Sequence, residues 1–194
     1  MEDKEPTEET ETPGEVSQKR FRNFFEWIEM FGIYFSIGII LLTVFFRHSP
    51  VVGSSMYPTL KENDIVIVRQ IFYSAKPGDI IVCQSETYGL GKPLVKRVIA
   101  TGGQTVSIDY ENWTVTVDGK TLDEPYINKE NAFMEDSNYL DDTFTVPDGM
   151  LFVMGDNRNG STDSRSEIIG FIDERYVVGK VAFRLLPISE FELF

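Results

Sequence analysis

Seventeen consecutive residues, MFGIYFSIGIILLTVFF from Met30 to Phe46, carry no charge. A run of this length reaches the lower limit for a helix that spans a bilayer, and no other segment of the chain is as apolar. Trp27 and Ile28 lengthen the apolar face, although Glu26 and Glu29 interrupt it. A cleaved leader would carry a short basic region before its apolar run. Here about twenty mostly acidic residues come first, and the run exits through FFRHSP without small residues at a cleavage position. The pattern predicts an uncleaved anchor helix over 21–47, with Trp27 at an interface. Lys19, Arg20 and Arg22 precede the span and only Arg47 follows closely, which orients the N-terminus to the cytoplasm and the remainder to the outer side.

The formal net charge is −13, which argues against nucleic acid as a partner because phosphate recognition needs a basic face. Part of that charge is local: residues 1–15 hold seven acids and one lysine with almost nothing apolar. Such composition cannot bury enough surface to offset its ordering entropy, so residues 1–20 read as a disordered acidic tail. Cys83 is the one cysteine, excluding an internal disulfide, and in DIIVCQ it reads as a buried, inert thiol. His48 is the one histidine, so no His/Cys cluster for zinc can form and no metal is expected. Gly89 and Gly91 in YGLGKP lack phosphate-loop spacing, and no cofactor is called for.

After His48 the pattern becomes one of short strands between turns. DIVIVRQI (64–71) and DIIVCQ (79–84) are joined through the Pro-Gly turn KPGD, and LVKRVIA (94–100) ends at Gly102-Gly103. TVSIDY (105–110) and WTVTVDG (113–119) alternate as half-exposed strands, with Asp118-Gly119 as a hairpin turn. FTV (144–146), MLFVM (150–154) and YVVGKVAFRLL (176–186) complete an all-β, antiparallel domain outside the membrane. The core is expected over 48–102 and 147–194, with 103–146 inserted as a smaller, more acidic β subdomain.

Chemistry is concentrated in three segments. VVGSSMYPTL (51–60) places Ser54 and Ser55 just beyond the span. A serine hydroxyl attacks only when something takes its proton, and a triad through His48 lacks an evident Asp partner. A lysine can serve if burial brings its pKa from ~10.4 toward ~7–8. Lys96, flanked by Leu94, Val95, Val98 and Ile99, meets that demand. Lys180 in VVGKVAF competes with it, whereas Lys92 between Gly91 and Pro93 reads as solvated and Arg97 does not release its proton. GDNRNGSTDSR (155–165) contains no apolar residue and reads either as an exposed loop or as a hydrogen-bonded support. In the second reading Ser161 orients a neutral lysine and Asp163 pairs with Arg165.

GSSMYPTL, KPGDIIV, LVKRVIATGGQTV and GDNRNGSTDSR, in that order behind an N-terminal span, resemble the type I signal peptidases, notably Gram-positive members. These are membrane-anchored Ser-Lys endopeptidases that remove signal peptides from exported preproteins. The resemblance implies Ser55 as nucleophile, with Met56 and Pro58 as its substrate-side neighbours, and Lys96 as general base. It further implies Ser161 as the lysine's hydrogen-bond partner and Asp163–Arg165 as a structural ion pair. The Ser55 backbone N–H would donate to the oxyanion. Gram-negative members carry a second donor, a serine two positions before the nucleophile, where this chain has Gly53. The expected partners are preproteins and the lipid bilayer, with no nucleic acid. Another membrane-anchored Ser-Lys processing peptidase, or a non-catalytic anchored β-domain that binds secreted proteins, would share much of this pattern.

Overall fold

A computed structural model describes residues 13–71, 73–84, 93–129, 134–135 and 139–194, with side chains described from residue 20 onward. The chain divides into two compact units, one through residue 44 and the other over 45–194. The first is a single helix, α1 (Pro13–Phe45). Its stretch Arg20–Phe45, 26 residues with mean hydropathy up to 2.1, has none of its apolar window buried by protein. At 1.5 Å per residue that is about 39 Å, enough to cross a hydrocarbon core of about 30 Å. The helix starts earlier than the pattern predicts and takes in residues 13–20, whose composition reads as disordered. Pro13 suits the first helical position, where its missing N–H costs nothing, and Glu15, Gln18, Lys19 and Arg20 are good helix formers. The acidic residues 1–12 and residues 85–92, with Gly89, Gly91 and Lys92, lie outside the described residues.

The second unit is antiparallel β. An eight-stranded sheet runs β1 (Phe46–Pro50), β2 (Ile65–Arg69), β11 (Val177–Leu186), β3 (Ile80–Cys83), β4 (Leu94–Thr101), β9 (Met150–Met154) and β10 (Ile172–Asp173), with β12 (Glu192–Leu193) also pairing β11. A four-stranded sheet runs β7 (Lys120–Thr121), β6 (Thr114–Val117), β5 (Thr105–Asp109) and β8 (Thr143–Thr145). The longer strands fall where apolar runs and alternation predict them. β1 is different: FRHSP abuts the apolar run and does not alternate, yet it pairs residue for residue with β2, from Phe46 opposite Arg69 to Pro50 opposite Ile65. Phe46 and Arg47 are therefore strand, not the end of the helix. At the β6–β7 hairpin, Asp118 and Gly119 both have positive φ (49° and 77°), as a two-residue turn matched to strand twist requires.

Three apolar clusters hold this unit together. Val106, Ile108, Val115 and Val117 of the small sheet pack with Ile99, Ala100, Phe152 and Met154 of the large one. On one side of β3, Met56 and Leu60 pack with Val66, Val68, Ile80, Val82 and Val181. On its other side, Ile81 and Cys83 pack with Val98, Leu151, Val153, Ile169 and Ile172. β4 is consequently covered on both faces, and five consecutive residues, Lys96 to Ala100, are buried. Met56 and Leu60 bear most directly on the serine segment, because they pin the 51–64 loop to the sheet. Leu60 is fully buried. Leu60→Ala is expected to lower unfolding free energy by about 2–5 kcal/mol, measured by urea denaturation, through lost burial and the cavity left behind.

Candidate active site

Residues 51–64 leave the sheet after β1 and return to it before β2 as a closed loop. Its neck is tied by Val51 N donating to Asp64 O (2.8 Å) and Asn63 N donating to Val51 O (3.0 Å). With its ends joined and Met56 and Leu60 as its own plug, it is a compact Ω-loop held as a rigid piece. Ser55 sits on this loop, half-buried, directly before Met56, while Ser54 is exposed. Ser54 to Leu60 form successive turns, with Tyr57 N donating to Ser54 O (3.0 Å) and Leu60 N to Met56 O (2.8 Å), and these turns bury Met56 while leaving Ser55 at the surface of the loop. Gly53 adopts φ +83°, a conformation that side chains other than glycine's rarely take.

Lys96 lies on β4 opposite Ile81 of β3 and is only 3% exposed. Its Nζ is 2.7 Å from Ser55 Oγ, within hydrogen-bond distance. Burial drives the lysine pKa below its ordinary value because the ammonium loses its hydration. The Asp163 carboxylate opposes that shift, as does Asp156 more weakly, while the Arg165 guanidinium assists it. Cys83 is fully buried, donates to Leu94 O (3.7 Å), and burial pushes its thiol up to about 11, so it is a neutral neighbour at working pH. Lys180, the competing lysine, pairs with Asp79 at 2.8 Å, so the serine and Lys96 are the pair that the fold brings together. His48 is an exposed residue of β1.

The polar segment 155–165 follows β9 and is largely buried. Asp163 accepts from Arg165 Nε (2.8 Å) and Nη2 (2.9 Å) and from Gly155 N (2.9 Å). Burial alone would raise the Asp163 pKa, yet Arg165 and these hydrogen bonds hold it below the ordinary carboxylate value. Ser161 Oγ is enclosed and satisfies no hydrogen bond by geometry, although it lies close enough to Asp163 to help keep that carboxyl ionised. The partner of Lys96 Nζ is therefore Ser55, with Ser161 beside Asp163.

Several supporting residues escape a reading of the sequence. Asn157 N donates to Ser55 O (3.0 Å), and Asn157 Nδ2 donates to Ser54 O (3.2 Å), gripping the backbone on both sides of the nucleophile candidate. Asp156 accepts from Arg97 Nε (2.8 Å) and Nη2 (2.7 Å) and from the hydroxyl of Thr59. The Arg97 guanidinium also lies 3.8 Å over the Tyr126 ring. A periodicity reading treats Arg97 as one more residue of a strand, and only the fold reveals that it ties the lysine strand to the Ω-loop. Beside Ser55 opens a mainly apolar cleft of about 240 Å³ lined by Ser49–Val52, Met56 and Pro93–Lys96. A larger recess of about 370 Å³ lies between Tyr139 and Gly170–Tyr176, but it contains neither member of the Ser-Lys pair. Among the described residues no cluster of His, Cys, Asp and Glu could hold a metal ion.

An all-β domain that sets a serine hydroxyl against a buried lysine has the make-up of a serine peptidase that works without histidine. The family described as "Signal peptidase, peptidase S26" matches residues 24–186. A probable signal peptidase I-1 from Synechocystis is 39% identical over 165 residues, 79% of each chain. Signal peptidase IB from Staphylococcus aureus is 36% identical over 187 residues, 88% of this chain and 94% of that one. A solved signal peptidase I from Enterococcus faecalis superposes with a TM-score of 0.45 at 28% identity, over 56% of this chain and 97% of that one. The chain belongs to the peptidase S26 signal peptidase family and is a serine endopeptidase.

Proposed function

We propose that this endopeptidase is anchored by α1 as a single-pass protein of the cell membrane, with its N-terminus in the cytoplasm and residues 48–194 outside. There it removes signal peptides from exported preproteins. The bias of Lys19, Arg20 and Arg22 over Arg47 supports the orientation. In the reaction, neutral Lys96 takes the Ser55 hydroxyl proton as Ser55 Oγ attacks the scissile carbonyl. The resulting lysinium then protonates the departing amine. The acyl-enzyme is hydrolysed by a water whose proton passes to the same lysine, restoring Ser55. The developing oxyanion is held by the Ser55 backbone N–H. Asp163 and Arg165 fix the loop behind the lysine, with Ser161 beside the Asp163 carboxylate.

The 2.7 Å approach of Ser55 Oγ to a lysine buried to 3% exposure carries this reading. The mainly apolar cleft suits the short side chains before the cut in signal peptides, with Met56 and Pro58 next to the bound chain. Anchoring helps because a substrate whose own apolar segment lies in the same bilayer is held at raised effective concentration. The test is purified full-length protein with a labelled preprotein in detergent or vesicles. Cleavage at the signal-peptide boundary is expected from the wild type and not from Ser55→Ala. Cleavage of pilin-type precursors alone would point to a different processing peptidase, and binding without cleavage to a non-catalytic domain.

A further inference from the structure

Arg184 of β11 is a buried cation, 6% exposed, whose guanidinium reaches two sites on the Ω-loop. Nη1 donates to Thr59 O (3.0 Å) and to Asp64 Oδ2 (3.1 Å), the latter at the loop's neck. The other donors are taken by the C-terminal segment: Nε bonds Glu190 O (2.6 Å) and Nη2 bonds Glu192 Oε2 (2.8 Å). That segment touches the loop once more, where Lys61 Nζ bonds both Glu190 carboxylate oxygens at 2.8 Å.

Thr59 is where two frames meet. Its hydroxyl is held by Asp156, which is locked to Arg97, the immediate neighbour of Lys96 on β4. Its carbonyl is held by Arg184, distant in sequence but on a strand that pairs with both β2 and β12. The loop that carries Ser55 is thus referenced to the lysine strand from one side and to β11 from the other. A single planar fork can bind a loop carbonyl, a carboxylate and a strap carbonyl together, which a lysine's compact ammonium does not reproduce.

We propose that Arg184 is a positioning residue for the Ser55 nucleophile, setting the pose of the 51–64 loop through Thr59 and Asp64, with residues 187–194 as the strap that holds its guanidinium. This rests on the reading of Ser55 as nucleophile and extends it to a residue that touches neither substrate nor the reacting atoms. Displacing reacting groups by about 1 Å can lower rate about 100-fold, so small loop movements are kinetically visible.

The experiment uses the full-length chain in detergent and two variants, Arg184→Lys and Arg184→Met/Asp64→Asn. The second leaves no unpaired charge in the interior, so it keeps the question answerable if the first folds poorly. Active sites are titrated to end point with a serine-acylating inhibitor, and turnover of a preprotein is expressed per titrated site. The expected result is a per-site turnover about 10- to 100-fold below wild type in the folded variants. A merely structural role would instead lower the fraction of titratable sites and leave per-site turnover alone. Per-site turnover within twofold of wild type in either folded variant overturns the proposal. Ser55→Ala, carried in parallel, separates the two readings: if it still turns over, the nucleophile assignment itself has failed, whatever Arg184 does.

Discussion

Ser55→Ala, Lys96→Met and the double variant are each expected to lose preprotein cleavage by a similar factor, about 10⁴-fold or more, rather than by multiplying factors. The two side chains act as one unit across 2.7 Å, so removing either leaves the other without a task. Lys96→Met keeps an unbranched apolar stem one atom shorter than lysine's, and it removes an amine that burial already disfavours as a cation. Stability then changes with a definite sign. A lysine whose folded pKa lies below its unfolded value makes the folded state less stable as pH falls from the unfolded pKa of about 10.4 toward the folded one. The methionine variant escapes that penalty, and at neutral pH it is expected to melt no lower than wild type. On the proposed mechanism, turnover of the wild type rises with pH through the depressed lysine pKa, because the neutral amine would be the base. A rate that fell over that limb, or a single variant with near-wild-type turnover, would remove the dyad from the mechanism.

The second large effect is expected at the buried pair behind the lysine. Arg165→Met leaves Asp163 ionised and enclosed without its main partner, a change that costs about 3–5 kcal/mol when a buried pair is broken. Asp163→Asn leaves the buried Arg165 guanidinium without its carboxylate, with the Arg158 and Glu135 carbonyls still accepting from it, whereas Asp163→Asn with Arg165→Met removes both charges of the pair and should recover much of the stability. Arg165 and Asp163 also press on Lys96 with opposite signs. Removing the guanidinium raises the lysine pKa, so the rising limb of the activity profile moves to higher pH; removing the carboxylate moves it to lower pH. Because the Asp163 pKa is held below its unfolded value, its contribution to stability is present above the unfolded carboxylate pKa of about 3.9 and disappears as pH falls through the folded one. Chemical denaturation at several pH values and a pH–rate profile for each variant check both signs.

How much of the fold and site is legible in the sequence depends on the range of the interaction. The helix and the longer strands follow local periodicity, so apolar runs and alternation find them. Lys96 stands out as a lysine within an apolar strand, whereas Ser55 is told from Ser54, and Ser161, Asp163 and Arg165 from their polar neighbours, only through the resemblance to the signal peptidases. Arg184 and Asn157 stand out in neither way. In VVGKVAFRLL an arginine looks like an ordinary strand residue, and its contacts with Thr59 and Asp64 cross more than a hundred positions of sequence. Asn157 is lost among other polar residues because its role is to grip a backbone rather than to supply chemistry. β1 is unreadable for a related reason, since β2 provides its hydrogen bonds and FRHSP has no pattern of its own. Likewise the two-residue strands β7, β10 and β12 are too short for any period to register.

The solitary thiol beside Lys96 makes the protein its own reporter. Cys83 is wholly enclosed, and burial pushes its thiol up to about 11, so a maleimide should pass over the native chain. Any cysteine introduced on either side of α1 therefore labels against a silent background, and an impermeant reagent applied to intact cells reads which side faces out. The same silence ends when the sheet opens. The rate at which Cys83 becomes reactive then counts the openings of the core around β3 and β4, a clock for the stability of the site in its native membrane.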